Sequence, residues 1–376
     1  MRIAFVSANR EKLPDAVIPL GILCVMANLP SRHESELCDL CFAADPLRHL
    51  AERLRAFRPD VIAIGLRNIQ SGDYSGCHDN LEFYRRVVAA VRAETDAPIV
   101  LGGGGFSVMP REILAHVQAD FGISGEGEQA FVELLDVIEA ASGDFDEVAG
   151  LHRMQAGAVV SSRRERPFPH LDDLPRPNRR LVDPRYFSDY GIDSIQTKRG
   201  CPLRCDYCTY PLIEGRSIRQ RDPALVVDEL FEIAAQRLGA NHVFIVDSVF
   251  NLPPTHAKAV CREMIQRRFA TPWTCYANPL GFDAELAQLM AEAGCVGAEI
   301  GSDSGVDAVL DRLKKGFHVD KIRRIHDLFS AAGLRDCHTF ILGTRGETLD
   351  DVRRTLDFCR ELDPFAAILG MWTDDN

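Results

Sequence analysis

Short apolar runs alternate along most of this chain with stretches whose apolar positions recur every three or four residues. In the first 140 residues, the runs at 2–7, 36–42, 61–66, 99–101 and 121–124 predict strands. The segments 21–29, 46–57, 80–94 and 128–140 carry the helical period. Strand–helix alternation of this kind predicts a parallel sheet covered on both faces, with ligands at the carboxyl ends of the strands. Glycines fall at those ends: Gly65, then Gly102, Gly103, Gly104 and Gly105, then Gly125 and Gly127. Glycine there lets the backbone approach a large ligand closely.

The pattern breaks at residues 143–190, which are rich in proline and arginine and lack a helical period. They read as a hairpin at 150–160 followed by an extended linker. The arginines at 163, 164 and 166, with Arg179 and Arg180, read as a solvated face of that linker. Alternation resumes from residue 194, with strands predicted at 194–197, 242–246, 273–277, 297–301, 337–342 and 366–371. Asp222 is a natural cap for the helix that Pro223 opens, and 284–293, 320–332 and 349–362 show similar apolar stripes. Two α/β units follow, a Rossmann-like parallel sheet over 1–142 and a partial six-unit β/α barrel over 191–376.

Bulk properties narrow the class. The net charge of −12 argues against a nucleic-acid surface. No run approaches the roughly 20 apolar residues of a membrane helix, and the N-terminal stretch reads as a strand rather than a leader. Twelve cysteines without a secretion signal read as thiols in a reducing, cytoplasmic setting, with metal binding the first expectation.

The chemistry is concentrated in the run CPLRCDYC, which places Cys201, Cys205 and Cys208 on a loop directly after the first strand of the second half. Three thiolates at these spacings suit three irons of a cubane cluster. Structural zinc would want a fourth ligand near by, and the next cysteine is the distant Cys261. An iron without a protein ligand is free to bind a cofactor. Cys38 and Cys41 lie in a predicted strand and point to opposite faces. Cys24, Cys77, Cys261, Cys275, Cys295, Cys337 and Cys359 read as scattered small hydrophobes.

The cysteine triplet, with aromatic Tyr207 before its last member, resembles the signature of the radical S-adenosylmethionine superfamily. Four further stretches, in order, resemble its cobalamin-associated members. They are Tyr210 to Glu229 with Gly215, Arg219 and Arg221; the run from Phe244 to Phe250 with Asp247; Gly301 to Gly305, with Asp303 where glutamate is usual; and Gly343 to Thr348, with Arg345 where proline is common. The resemblance implies a [4Fe-4S] cluster on Cys201, Cys205 and Cys208, with S-adenosylmethionine held by Tyr207, Asp247, Asp303, Ser304 and Gly305.

The first half resembles the corrinoid-binding domain of that subgroup. It implies cobalamin against Leu20, Gly21, Arg67, Asn68, Gly102, Gly103, Gly104, Gly125, Glu126 and Gly127. The Asp-x-His-x-x-Gly run that supplies a histidine beneath cobalt is missing, and Asp336 and His338 come nearest to it, so the cobalamin is expected without a protein histidine ligand. The implied activity is methylation of an unactivated carbon of a small-molecule or peptide substrate through a 5′-deoxyadenosyl radical and methylcobalamin, fed by a flavodoxin- or ferredoxin-type donor. Cyclisation or rearrangement with the same cofactors is the alternative. The chain stops soon after the sixth strand, which keeps a non-catalytic cofactor-binding subunit open. Acid–base residues are not assignable from sequence. Trp273 and Tyr276 are candidates for lining the cavity or for the core.

Overall fold

The computed structural model describes residues 1–73, 76–162, 170–236 and 239–372, with side chains 71–79 outside that description. The chain forms two compact units, Met1–Tyr190 with Leu212–Gly215, and Gly191–Pro211 with Arg216–Asn376. Among the described residues no helix is long and apolar enough to cross a membrane.

The strands of the first unit are β1 (Arg2–Ser7), β2 (Glu34–Asp39), β3 (Val61–Gly65), β4 (Gln70–Asp73), β5 (Gly76–Asp79), β6 (Ile99–Gly102), β7 (Phe121–Ile123), β8 (Leu151–Gln155) and β9 (Ala158–Ser161). The main sheet runs β2-β1-β3-β6-β7-β8-β9, while β4 and β5 form a separate hairpin. Its first five strands are parallel. Ile3 and Phe5 of β1 pack with Met26, Phe131 and Leu134 on one face. Ala4 and Val6 pack with Leu50, Leu54 and Val87 on the other. Burial on both faces is why these strands read as continuous apolar runs rather than alternating ones.

The segment 143–190 departs from the linker reading. β8 pairs antiparallel with the edge of β7, satisfying backbone groups that would otherwise be free, and the sheet extends through β9. Beyond the hairpin, Tyr186 and Phe187 are buried, and Tyr186 meets Phe42 edge-on at 4.8 Å. Arg179 is buried rather than solvated, while Arg180 is exposed. The arginines of 163–166 lie outside the described residues.

The second unit holds β10 (Ile192–Ile195), the short antiparallel pair β11 (Lys198–Arg199) and β12 (Arg219–Gln220), then β13 (His242–Ile245), β14 (Trp273–Ala277), β15 (Cys295–Asp303), β16 (Arg335–Leu342) and β17 (Ala366–Met371). The main sheet is wholly parallel and strictly sequential, β10-β13-β14-β15-β16-β17. This is the expected six-unit partial barrel. The Asp222 side chain accepts from the Ala224 N–H, with Pro223 in first position. Burial alternates along these strands. Val243, Ile245, Trp273, Cys275 and Ile300 are sealed beneath helices. Phe244, Thr274, Tyr276, Glu299, Cys337 and Thr339 are only half-buried, so the opposite face borders an open lumen. Trp273 therefore belongs to the core and Tyr276 to the lumen.

Trp273 is fully buried and its Nε1–H donates to the Ala293 carbonyl at 2.8 Å. Trp273→Ala is expected to destabilise the second unit by about 3–5 kcal/mol. Urea unfolding followed by tryptophan-independent circular dichroism reads this, and an unchanged midpoint would contradict the placement.

Candidate functional site

The cysteine loop is closed at its base by the β11–β12 ladder, which pairs Lys198 with Gln220 and Arg199 with Arg219. Gly200 enters the loop at φ +91, where a Cβ would lie 2.1 Å from the Ser217 carbonyl oxygen, so only glycine fits. Within the loop the Cys208 N–H donates to the Cys205 carbonyl at 3.3 Å. The Arg216 guanidinium donates to the Leu203 carbonyl at 2.8 Å, and the Asp206 N–H to the Leu313 carbonyl at 3.0 Å. Cys201 is buried, Cys205 and Cys208 half-buried.

Burial pushes the Cys205 and Cys208 thiols up, neighbouring thiols add to the effect, and the Lys315 ammonium opposes it. A single zinc ion would gather its sulfurs within about 4 Å of one another, given Zn–S bonds near 2.3 Å. Among the described residues, the groups with ligand atoms within 4.8 Å are His326/Asp336/His338 and His33/Asp136/Glu139, and the three thiols are not among them. Thiols spread in this way match the separate corners of a cubane.

Tyr207 and Asp303 are brought together. The Tyr207 hydroxyl donates to Asp303 Oδ2 at 2.5 Å, and Lys315 Nζ lies 2.7 Å from the same oxygen and 3.2 Å from the hydroxyl. Burial and the adjacent carboxylate push the Tyr207 phenol far up, so it remains a proton donor. Asp303 stands at φ +63, just past a register shift where Gly301 pairs with Thr339 but Asp303 with Phe340. A non-glycine residue in the left-handed region is uncommon, and such strain concentrates at functional sites.

Asp247, expected to face the sulfonium cofactor, is fully buried. Its carboxylate accepts from the Thr197 N–H at 2.7 Å, the Thr197 hydroxyl at 2.6 Å and the Lys198 N–H at 3.3 Å, with Lys198 Nζ 3.8 Å away. Its side chain is spent on the approach to the cysteine loop, so its effect on a cofactor is indirect. Ser304 also points inward: its hydroxyl meets that of Thr355 at 3.1 Å and accepts from the Val306 N–H at 3.2 Å. At Gly305 a Cβ would lie 2.5 Å from Phe358 Cβ, and the Gly305 N–H donates to Thr355 at 3.2 Å. These two positions shape the turn that follows Asp303.

In the first unit, the glycines divide. Gly103, at φ +95, would place a Cβ 2.5 Å from the Leu66 carbonyl oxygen, and Gly105 one 3.0 Å from that of Arg67. Both answer to backbone packing. At Gly21, Gly102, Gly104 and Gly125 a Cβ would meet no protein atom closer than 3.4 Å, though Gly125 is at φ +80. That open edge fits a large planar ligand. Helices Leu20–Ala27 and Gly127–Ala140 begin there without side-chain caps, at Pro19 and Glu126, leaving early N–H groups without intrahelical partners.

Sequence reasoning missed two residues that organise this edge. Glu11 accepts from Asn68 Nδ2 at 2.6 Å, Asn80 Nδ2 at 3.1 Å and Arg67 at 3.4 Å. Ser107 donates to the Gly103 carbonyl at 2.9 Å and accepts from the Gly125 N–H at 2.9 Å. Neither sits in a motif; only contacts distant in sequence reveal them.

Glu299 was missed as well. It shares a register row with Tyr276 and Cys337 on the lumen side, and Phe244 meets Tyr276 edge-on at 4.9 Å. Burial raises the pKa of its carboxyl. Cys77 lies outside the residues whose side chains are described. Burial holds the Cys38 thiol up at about 12; Cys41 lies beyond the end of β2 and is also buried.

The profile of the Radical SAM superfamily matches residues 195–359, and that of the B12 binding domain residues 6–135. The chain is 29% identical to a tryptophan 2-C-methyltransferase of Streptomyces laurentii, covering 96% of this chain and 70% of the relative. It is 25% identical to an anaerobic magnesium-protoporphyrin IX monomethyl ester cyclase of Rubrivivax gelatinosus, covering 86% of this chain and 58% of that one. Among solved structures, the radical S-adenosylmethionine methyltransferase TsrM of Kitasatospora setae, with cobalamin and a [4Fe-4S] cluster bound, superimposes with a TM-score of 0.86 at 28% identity. That match covers 98% of this chain and 74% of TsrM. The same enzyme has been solved with tryptophan substrate and an S-adenosylmethionine analogue.

Asp303 and Lys315 are each almost fully buried. Removing one partner leaves an uncompensated charge, so Lys315→Met is expected to cost about 3–5 kcal/mol in chemical denaturation. The double variant Lys315→Met/Asp303→Asn is expected to recover much of that loss. Additive losses in the double variant would contradict the pairing.

Proposed function

Because the chain belongs to the radical S-adenosylmethionine superfamily, in the subgroup with a B12-binding domain, we propose that it is a cobalamin-dependent methyltransferase acting on an unactivated carbon. The observation that carries this reading is the loop at Cys201, Cys205 and Cys208: three thiols on one short loop, not gathered within 4.8 Å of one another, beside the ion-paired Asp303 and Lys315. In this reading those cysteines hold a [4Fe-4S] cluster, Tyr207 and Asp303 face S-adenosylmethionine, and the edge at Gly21, Gly102, Gly104 and Gly125, with Arg67 and Asn68, holds cobalamin. When bound, the cluster and sulfonium cofactor supply one-electron chemistry, and cobalamin supplies the methyl group.

The chain's own residues define what the lumen accepts. Phe244 and Tyr276 offer an aromatic wall, and Glu299 offers a carboxylate in the same row. A half-buried carboxylate with a raised affinity for protons is suited to accept one, or to hold an N–H or ammonium group. The substrate class is therefore a small aromatic molecule bearing nitrogen, in line with the tryptophan that the relatives methylate. Electrons come from a flavodoxin- or ferredoxin-type donor, in the cytoplasm. The likeness to a cyclase supports a second reading, ring closure with the same cofactors.

Anaerobic protein loaded with cluster and cobalamin, given S-adenosylmethionine, reductant and tryptophan or related heteroaromatics, is expected to form S-adenosylhomocysteine and a product heavier by one CH₂. A product lacking that mass gain favours cyclisation, and absence of any S-adenosylmethionine consumption overturns both readings. Glu299→Gln is expected to lower kcat/KM about 100-fold or more, with cluster absorbance unchanged. Wild-type kinetics in that variant would remove Glu299 from the site.

A further inference from the structure

On β16 the side chains of Asp336, His338 and Phe340 share the face opposite the lumen. Phe340 packs there with Ile322, Phe358 and Leu362. Asp336 and His338 are buried in the same layer, an expensive place for polar groups without strong partners. They meet His326 of helix Val319–Ala331. Asp336 Oδ2 lies 2.6 Å from His326 Nδ1 and 3.0 Å from His338 Nε2. All three ligand atoms fall within 4.8 Å of one another. The far atoms of the cluster are also held. Ser302 Oγ lies 2.6 Å from His338 Nδ1, and the Phe365 N–H donates to Asp336 Oδ1 at 3.0 Å.

We propose that His326, Asp336 and His338 form a site for one divalent ion of the zinc class, separate from the cysteine loop. Two imidazoles and one carboxylate make a borderline N₂O set that suits zinc, with water in a fourth position. Bonds of roughly 2.0–2.1 Å would set the ligand atoms about 3.3 Å apart in a tetrahedron; the two nitrogen–oxygen contacts, at 2.6 and 3.0 Å, would open by under about 1 Å, and the two nitrogens already lie within 4.8 Å of one another. The protons balance without a co-reactant. On binding, the His338 proton moves from Nε2 to Nδ1, where Ser302 Oγ accepts it, and the His326 proton moves from Nδ1 to Nε2 at its partly exposed edge. An oxygen on the second nitrogen of a metal-bound histidine is the usual orienting arrangement. The ion would fasten helix Val319–Ala331 to β16 and, through Ser302, to the bulge that turns Asp303.

The test uses holoprotein with its iron–sulfur cluster already reconstituted, so that the cysteines are occupied, and titrates zinc alone. One further zinc per chain is expected, with zinc-edge X-ray absorption showing only nitrogen and oxygen ligands at roughly 2.0–2.1 Å. His326→Ala, on the partly exposed side, should abolish that zinc, and Ser302→Ala should weaken it roughly 10- to 100-fold. His33→Ala, in the other grouping of possible ligands, should leave it unchanged. Failure to bind zinc, sulfur in the first coordination shell, or equal binding by wild type and His326→Ala would each overturn the proposal. The absorption spectrum of the wild type decides the matter even if a variant does not fold.

Discussion

The second unit depends on one buried carboxylate. Asp247, at the end of β13, has no solvent access and takes three hydrogen bonds from Thr197 and Lys198, with the Lys198 ammonium close behind. An isolated charge in that position would be prohibitive. Saturated by N–H and O–H donors, it becomes a fixed point joining two neighbouring strand ends. The chain leaves that point through β11, turns at Gly200 and enters the cysteine loop. His256 reinforces it, its Nε2 lying 3.2 Å from the Thr197 carbonyl. The cysteine loop needs such a base, because nothing in a run of cysteines and charged residues would pack a core of its own.

The strand that carries Asp303 shows a second constraint. Against β16, β15 runs in register from Gly297 to Gly301, then slips by one residue. The slip exchanges strand regularity for aim, since a bulge rotates the following side chain off the pleat. Asp303 thereby leaves the strand pattern and reaches Tyr207 and Lys315. Its left-handed backbone is held by Thr355 and Phe358, which fix Ser304 and Gly305 from the helix behind. Residues that a motif comparison groups as one ligand-binding set thus divide into a side chain that is presented and a turn that presents it.

Periodicity made most of the architecture legible. Strand–helix alternation marked both units, and the helix at Pro223–Ala235 has its foreseen cap at Asp222. The hairpin at β8 and β9 was visible, but its place in the first sheet was not, because pairing to an existing edge leaves no mark on composition. The buried Arg179 misled for a similar reason: an arginine-rich, proline-rich stretch reads as solvated unless the packing around it is known. The cysteine triplet is legible as a motif from its spacing alone. Glu299 is not, since one glutamate in an apolar strand carries no motif, and only the alternation of burial along β14, β15 and β16 shows which face it occupies.

The glycines of the first unit limit how such motifs should be used. A glycine-rich strand end is commonly taken as room made for a ligand, yet Gly103 and Gly105 are required by the carbonyl groups of Leu66 and Arg67, which crowd their missing side chains at 2.5 and 3.0 Å. They would be needed in a domain of this fold that bound nothing. Gly21, Gly102 and Gly104 face no such crowding and adopt no left-handed backbone; there an alanine would be tolerated by the protein alone. The space beside those three positions is open to something outside the chain. They, rather than the whole glycine run, are the positions that speak for a bound cofactor.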